Sequence, residues 1–184
     1  IIGYLVSEGC FHHGSSYEIT FTNKNPFILD EMKALMSEIF KIGYTPDISS
    51  YGIPSQRYIS SGLFKWFMLN FPEIVRRSRE RRAPAKILSA TISCVRGFLR
   101  SAFLGDGSVE TEAICYRTAS RGLAEDYQDL LLRLGISSRI IRDKSGDAFK
   151  TYITGDSLLR FRDQIVDPND RRIRVISAIV SRSR

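Results

Sequence analysis

The sequence predicts an α+β protein built from two pseudo-symmetric halves, each with the order helix, strand, strand, helix, strand, strand, helix (αββαββα). Three observations support this fold class. A short motif that ends in an acid and a glycine occurs twice within the 184 residues. Segments of alternating polar and apolar residues follow each copy, as expected for half-buried antiparallel strands. Capped amphipathic helices then follow in the same order in both halves.

The repeated motif reads IGYLVSEG at residues 2–9 and RSAFLGDG at residues 100–107. Gly3 and Ser7 are four residues apart, so they share one helix face, and Ser101 and Gly105 repeat the arrangement. Small residues on one face allow two helix backbones to approach closely. We therefore predict that the two motif helices pack against each other along a pseudo-two-fold axis.

The acids of the two motifs, Glu8 and Asp106, would then meet at the same end of the helix pair. Gly9 and Gly107 fit the left-handed position that follows a helix C-terminus. A carboxylate there opposes the helix dipole, and two neighbouring carboxylates repel each other. Because a bound divalent cation would reverse both penalties, the pair of motifs predicts a metal site with oxygen ligands, which suit Mg²⁺ best.

The first half continues with a predicted strand at 17–22 and a helix whose N-cap is Asn25, with Pro26 at its first position. Gly43 is predicted to end this helix. Its predicted apolar face consists of Ile28, Met32, Leu35, Met36 and Ile39. Short strands at about 44–50 and 56–60 lead to a helix over 63–71. We expect the following residues of that helix to lie in the core: Leu63, Phe64, Trp66, Phe67 and Met68.

The second half repeats this order with a strand at 112–118 and a helix capped by Ser120 and ended by Gly135. The apolar face of that helix is Leu123, Tyr127, Leu130, Leu131 and Leu134. Strands at 138–142 and 149–154 lead to a final helix over 157–166, with Asp156 as the predicted cap. The chain therefore divides into a first half at 1–75, an arginine-rich connector at 76–96 and a second half at 97–184.

Composition narrows the class of protein. The formal net charge is +7, from 27 Lys and Arg residues against 20 Asp and Glu residues, which favours a polyanionic partner. The three cysteines form no CxxC or Cys/His cluster, so neither a zinc site nor a disulfide framework is indicated. No apolar run approaches the roughly 20 residues of a membrane span. With no signal peptide visible, we expect a cytoplasmic protein without a membrane partner.

Residues 1–9 and 99–107 resemble the two copies of the nine-residue signature of LAGLIDADG homing endonucleases, in the monomeric, two-motif form encoded by introns or inteins. The resemblance covers essentially the whole chain, including the order of strands and helices after each motif. It implies that the motif helices join the halves and that the two antiparallel sheets form a saddle on double-stranded DNA. It also implies a double-strand break in a long recognition sequence, with four-base 3′ overhangs.

The resemblance implies that Glu8 and Asp106, with Ser7 and Gly105 beside them, bind the divalent metal. That metal would be Mg²⁺ or Mn²⁺, while Ca²⁺ would support DNA binding without cleavage. The family places a Lys or Gln after the first long strand, where Asn23 and Lys24 stand. The second half departs from this pattern, since it reads Thr-Ala-Ser at 118–120, and Lys150 is the nearest lysine that could substitute.

A saddle-shaped sheet would place alternate strand residues against the major groove, where Arg and Lys suit guanine. Outward positions then identify candidate contacts to base edges: Thr20, Thr22, Arg57, Arg117, Arg139, Arg142 and Lys150. Arg81 and Arg82 belong to the arginine-rich connector, so we expect them to contact backbone phosphates. No other partner is expected unless the protein is an RNA maturase.

Two alternatives stay open. The protein could keep the fold and bind nucleic acid without cleavage, as a maturase or as a transcription regulator. Both acids are present and no helix-turn-helix segment follows, which weakens the regulator alternative. The chain could also be the endonuclease part of an intein, although segments for splicing are not seen at either end.

Overall fold

The computed structural model describes residues 1–143 and 146–182. The first half contains α1 (Ile2–Glu8), β1 (Gly9–His13), β2 (Tyr17–Thr22), α2 (Pro26–Phe40), β3 (Thr45–Ile48), β4 (Pro54–Ile59) and α3 (Ser61–Asn70). A connecting region follows with α4 (Pro72–Val75), a single 3₁₀ turn (Ser78–Glu80) and α5 (Ala85–Leu88). The second half contains α6 (Ile92–Asp106), β5 (Gly107–Val109), β6 (Ile114–Thr118), α7 (Arg121–Arg133), β7 (Arg139–Arg142), β8 (Phe149–Ile153), α8 (Ser157–Gln164) and α9 (Ile173–Arg182).

Each half carries a four-stranded antiparallel sheet, in the order β1-β2-β4-β3 in the first half and β5-β6-β8-β7 in the second. The strands alternate between two faces. In β2, for example, Ile19 and Phe21 are buried in the core while Thr20 and Thr22 on the other face are partly exposed. The predicted α+β class with two repeated antiparallel sheets is confirmed.

The two motif helices, α1 and α6, pack directly against each other, as their small residues predict. A Cβ atom on Gly3 would clash with the Ser101 side chain, and one on Gly105 would clash with the Ser7 side chain. The Ser7 hydroxyl donates a hydrogen bond of 3.0 Å to the Gly3 carbonyl of its own helix, so it adds no unpaired polar proton to the interface. Close packing of backbones therefore holds the two halves together.

The prediction of left-handed glycines after the motif helices is wrong. Gly9 has φ −79° and ψ 149°, and Gly107 has φ −77° and ψ 139°, both in the extended region. The chain passes straight from each helix into a strand, so no left-handed turn is needed. Glycine is required here for space, because a Cβ on Gly9 would lie 2.6 Å from the carbonyl oxygen of Leu5.

The caps of α2 and α7 are largely as predicted. The Asn25 side chain accepts from the backbone N–H of Phe27, and Ser120 Oγ accepts from that of Leu123. Gly135 has φ +70° just beyond α7. However, α2 ends at Phe40, and Lys41 rather than Gly43 adopts the left-handed conformation, with φ 54°. Ile39, which we predicted on the apolar face of this helix, is 58% exposed and is not part of the buried face.

The Asp156 cap is also not found. Asp156 has φ −59° and ψ −22°, which are helical values rather than the extended values of an N-cap. In α3, Phe64 and Phe67 are fully buried as predicted, whereas Trp66 is 41% exposed and Met68 is 47% exposed. Trp66 packs its ring edge against Phe67 at the margin of the core.

Two features of the ends of the halves were not predicted. Helix α6 begins at Ile92, inside the range predicted as connector. Helix α9 packs on α8 through buried residues Ile176, Ile179 and Val180, which extend the core of the second half. No helix in the described ranges 1–143 and 146–182 is long and apolar enough to cross a membrane.

Candidate functional site

The two motif acids lie together at the C-terminal ends of α1 and α6. Glu8 and Asp106 are the last residues of these packed helices, and both are partly buried. Burial, with a smaller contribution from the Glu8 carboxylate, raises the pKa of Asp106 to about 8, while the Arg81 guanidinium acts in the opposite direction. Burial also raises the pKa of Glu8, again opposed by Arg81. The free protein therefore holds two carboxylates that are costly to ionise.

This pair fits a hard divalent cation. Carboxylate oxygens suit Mg²⁺, and a cation between two acids at helix C-termini would relieve both their repulsion and the unfavourable helix dipole. Within residues 1–143 and 146–182, no group of three or more His, Cys, Asp or Glu side chains could hold a metal ion. The protein would therefore supply few ligands, and water or substrate oxygens would complete the shell, as is usual for Mg²⁺.

A cavity of about 280 Å³ opens beside Glu8. It is lined by the acid itself, by Asn23 and Lys24 after β2, and by residues of the opposite half. The residues of the opposite half are Leu104, Gly105, Gly107, Asp170, Arg171 and Arg172. This cavity therefore combines the acid of one half with the end of the motif helix of the other half.

A second cavity, of about 300 Å³, opens beside Asp106 and repeats this composition. It is lined by Arg117, Thr118 and Ala119 of the second half and by residues of the first half and the connector. The latter residues are Val6, Ser7, Ser78 and Arg81, and Asp147 and Ala148 complete the lining. Ser7 and Gly105, which were predicted as metal neighbours, thus line opposite cavities while also packing in the helix interface.

The structure brings Asn23 and Lys24 to Glu8, as predicted. The Asn23 amide nitrogen donates to Oε1 of Glu8 at 3.2 Å, while its carbonyl oxygen accepts from the backbone N–H of Asn25 at 2.8 Å. Lys24 is exposed and lines the Glu8 cavity. The side chain of Asn23 therefore couples the loop after β2 to the end of the motif helix.

The register of the two sheets identifies the corresponding loop in the second half. Gly9 pairs with Phe21, and Gly107 pairs with Tyr116, so 118–119 occupy the places of Asn23 and Lys24. Thr118 Oγ1 accepts from the backbone N–H of Ser120 at 3.2 Å, which repeats the local role of Asn23. Ala119 stands where the first half has Lys24.

Lys150 does not supply the positive charge beside Asp106 that Ala119 lacks. Its ammonium group lies 2.7 Å from Glu110 and 3.9 Å from Asp143 on the sheet. Arg117, from the neighbouring strand position, lines the Asp106 cavity instead, and its charge lowers the pKa of Asp106 against the larger effect of burial. The structure therefore places Arg117 rather than Lys150 at the Asp106 cavity, because the strand register rather than nearness in sequence decides which cation lies there.

The predicted base-contacting residues mostly share one face of each sheet. In the first half, Thr20 pairs with Arg57, whose guanidinium lies 2.6 Å from Glu18 and 3.7 Å from Asp47. Thr22 lies on the same face and shares a hydrogen bond of 2.9 Å with Ser55. The arginine of this face is therefore held by acids of the same face.

In the second half, Arg117 pairs with Lys150 across the sheet, and Arg139 lies over the ring of Tyr152. Arg117 lies 2.9 Å from Asp143. Arg142 does not share this face, because it is three residues from Arg139 and pairs with Phe149. The register therefore does not place Arg142 with the other predicted base-contacting residues.

The two connector arginines, which we predicted as phosphate contacts, both have partners within the protein, and the burial of Arg81 contradicts its predicted role. Arg81 is only 7% exposed, and its guanidinium donates to the carbonyl oxygens of Val6, at 3.1 Å, and of Gly9. Arg82 makes a bidentate ion pair with buried Asp126, at 2.6 and 2.8 Å. The Arg81 side chain is therefore committed to buried contacts, whereas the Arg82 side chain remains 47% exposed. A run of charges in the sequence could not reveal this difference.

Arg172 is a residue of the site that sequence reasoning missed. Its guanidinium donates to the carbonyl oxygens of Gly107, at 2.6 Å, and Phe103, at 3.1 Å, and it pairs with Asp170 at 2.7 Å. A signal was present, since an acid at a helix C-terminus needs a nearby cation and the chain carries arginines after the helices predicted at 63–71 and 157–166.

Comparisons with known proteins agree with the fold and with the motif. The model of a family described as "LAGLIDADG-like domain" matches residues 93–166. The replicative DNA helicase DnaB of Rhodothermus marinus is 26% identical over 189 residues, which cover 90% of this chain and 20% of the helicase. The replication factor C small subunit of Methanocaldococcus jannaschii is 27% identical over 184 residues, which cover 97% of this chain and 10% of that protein. The chain thus spans a fifth or less of these relatives.

Two solved structures share the fold. The structure of I-DmoI in complex with DNA and Ca has a TM-score of 0.69 at 15% identity, and the match covers 96% of this chain and 94% of the other. Full-length DUF199/WhiA from Thermatoga maritima has a TM-score of 0.66 at 16% identity, and the match covers 100% of this chain and 58% of the other. At these identities the likeness establishes the fold.

Proposed function

Since this chain belongs to the LAGLIDADG family, we propose that it is a site-specific DNA endonuclease that makes a double-strand break by metal-dependent phosphodiester hydrolysis. One observation carries the proposal: Glu8 and Asp106 lie together at the ends of the packed helices α1 and α6, each beside a cavity. Burial of Glu8 and Asp106 raises the pKa of each, so that ionising both in the free protein is unfavourable. A bound cation would offset this cost, which supports a cation-dependent reaction.

Glu8 and Asp106 would hold the divalent metal, Mg²⁺ or Mn²⁺, which supplies Lewis acidity and lowers the pKa of a bound water. The protein's own groups have distinct tasks. Asn23 orients the Glu8 carboxylate through its amide N–H. Lys24 in one cavity and Arg117 in the other place positive charge where a scissile phosphate would gain negative charge in the transition state.

DNA would bind across the exposed faces of the two sheets. Arg57, Arg117, Lys150 and Arg139 lie on these faces, and in the free protein three of them pair with acids at 2.6 to 2.9 Å. Binding would exchange these acids for phosphate oxygens or base edges. Two structures that share this fold, those of I-DmoI with Ca and with Mn, contain DNA, which supports DNA as the partner. A monomer would suffice, because the chain already holds both halves.

The relatives support an origin in a mobile element. The replicative DNA helicase and the replication factor C small subunit are different proteins, yet each match covers 90% or more of this chain and 20% or less of the relative. A segment shared by otherwise different proteins is typical of an insertion. We propose that the chain is the endonuclease part of an intein or intron product.

A second candidate function is nucleic-acid binding without cleavage. Ala119 stands where Lys24 stands in the first half, so one of the two cavities lacks a loop lysine. The DUF199/WhiA structure, which matches the whole chain, has the same fold. This candidate predicts binding to DNA or to intron RNA with no cut in either strand.

The test is cleavage of a randomised duplex library in Mg²⁺ and in Ca²⁺, with the ends sequenced. Cuts at one long site with four-base 3′ overhangs in Mg²⁺, and binding alone in Ca²⁺, are the expected result. Glu8→Gln and Asp106→Asn serve as controls and should abolish cleavage while DNA affinity stays within about tenfold. Binding without cuts in both metals would exclude the endonuclease and favour the second candidate.

A further inference from the structure

Two arginines from separate parts of the chain donate hydrogen bonds to backbone carbonyls at the C-terminal ends of the two motif helices. Arg81 donates to the carbonyl oxygens of Val6 and Gly9, the residues on either side of Ser7 and Glu8. Arg172 donates to those of Phe103 and Gly107, on either side of Asp106. Each guanidinium, with five donors, thus joins a carbonyl of the last helical turn to the carbonyl of the glycine that follows the helix.

Each of these arginines also lines the cavity of the opposite acid. Arg81 holds the helix end that carries Glu8 and lines the cavity beside Asp106. Arg172 holds the helix end that carries Asp106 and lines the cavity beside Glu8. Each guanidinium therefore contacts the helix end that carries one acid and lines the cavity beside the other acid.

The backbone of Arg81 adds a third connection. Its carbonyl oxygen accepts from Ser120 Oγ at 2.7 Å, and Ser120 is the N-cap of α7. The residues just before Ser120, Thr118 and Ala119, line the Asp106 cavity. Arg81 therefore ties the helix end of the first half to the loop of the second half. Its burial excludes a role on the DNA-binding surface.

We propose that Arg81 and Arg172 are positioning residues that hold Glu8 and Asp106 in the geometry needed to bind the divalent metal. The inference rests on the proposed function, because it assumes that the two acids are metal ligands. Groups that orient metal ligands change metal affinity by about ten- to a hundredfold when they are removed. Neither arginine would touch the metal, since their hydrogen bonds are made to backbone oxygens and, for Arg172, to Asp170.

The test is titration of the full chain with Mn²⁺, with free Mn²⁺ followed by electron paramagnetic resonance, in parallel with thermal denaturation. Arg81→Met and Arg172→Met should each weaken Mn²⁺ binding by about ten- to a hundredfold. Arg82→Met is the matched control. It removes a neighbouring arginine whose ion pair with Asp126 holds the connector to α7, so it should lower Tm yet leave Mn²⁺ affinity within about twofold.

Arg81→Lys covers the case in which Arg81→Met does not fold. Lysine keeps the charge but is a point donor that cannot span two carbonyls, so Mn²⁺ binding should still weaken several-fold. Wild-type affinity in Arg81→Lys, or in a folded Arg81→Met, would overturn the inference and leave the proposed function intact. An equal loss in Arg82→Met would also overturn it, since general destabilisation would then suffice. If the wild-type chain binds Mn²⁺ no better than Glu8→Gln, the proposed function itself fails.

Discussion

The side-chain amide of Asn23 donates a hydrogen bond of 3.2 Å to Oε1 of Glu8, which joins the loop after β2 to the end of helix α1. Thr118 occupies the same place in the second half, where its hydroxyl makes the local contact with Ser120 but has no amide to offer Asp106. The two halves therefore treat their acids differently, although the acids themselves are placed alike.

Asn23→Thr makes the first loop resemble the second. The threonine can still accept from the backbone N–H of Asn25, so we expect stability to change by less than about 1 kcal/mol. Loss of the donor to a charged group should slow cleavage of one strand by about tenfold or more. Strand-specific cleavage rates measure the effect. An unchanged rate would show that the Asn23 contact has no part in catalysis.

Lys24→Met should slow one strand cut by about a hundredfold, because it removes a positive charge from the Glu8 cavity. A nicked product should therefore accumulate from supercoiled plasmid that carries the target. Ala119→Lys is the reciprocal variant, and it should speed the other cut or leave it unchanged. Equal slowing of both cuts by Lys24→Met would contradict separate cavities for the two strands.

Asp106→Asn should stabilise the metal-free protein in a pH-dependent way. The folded pKa of Asp106 is raised from 3.8 to about 8, so its contribution to stability is full below pH 4 and is lost as the pH rises toward 8. The asparagine variant does not titrate at this position. In EDTA, its Tm should therefore exceed that of the wild type by more at pH 8.5 than at pH 5. A constant difference across this range would refute the raised pKa.

Gly105→Ala should destabilise the protein by about 1–3 kcal/mol, because the added Cβ would meet Ser7 across the helix interface. Gly97 lies on the same helix, and its added Cβ would meet no atom of the described residues within 4 Å. Gly97→Ala should therefore be neutral or stabilising by up to about 1 kcal/mol. Urea denaturation of both variants tests the packing, and similar values for the two would argue against it.

Glu18→Gln should strengthen DNA binding at low salt, since it frees Arg57 from an acid 2.6 Å away. One more cation available to phosphate should steepen the plot of log affinity against log salt by up to about 0.9. Glu125→Gln is the control, because Glu125 pairs with Arg121 on helix α7 rather than on a sheet face. The same change in slope for both variants would point to net charge alone.

Much of the fold could be predicted because it depends on local patterns. The Asn25 and Ser120 caps and the alternation of β2 follow from residues that are near each other in sequence. The contact of α1 with α6 follows from the small residues four apart within each motif. Some local features could not be predicted, such as the left-handed Lys41, since α2 ends at Phe40, before the nearest glycine, Gly43.

Some features of the candidate site could likewise be predicted from the sequence, and others could not. By itself the sequence determined the two acids, their places at helix ends and the loop of Asn23 and Lys24, since each belongs to a motif or to the turn after a strand. Only the tertiary structure decided the partners of Arg81, Arg172 and Lys150. The physical reason is that a cation on a long side chain pairs with whatever oxygen the packing of distant segments brings near, and its place in the sequence does not specify that oxygen.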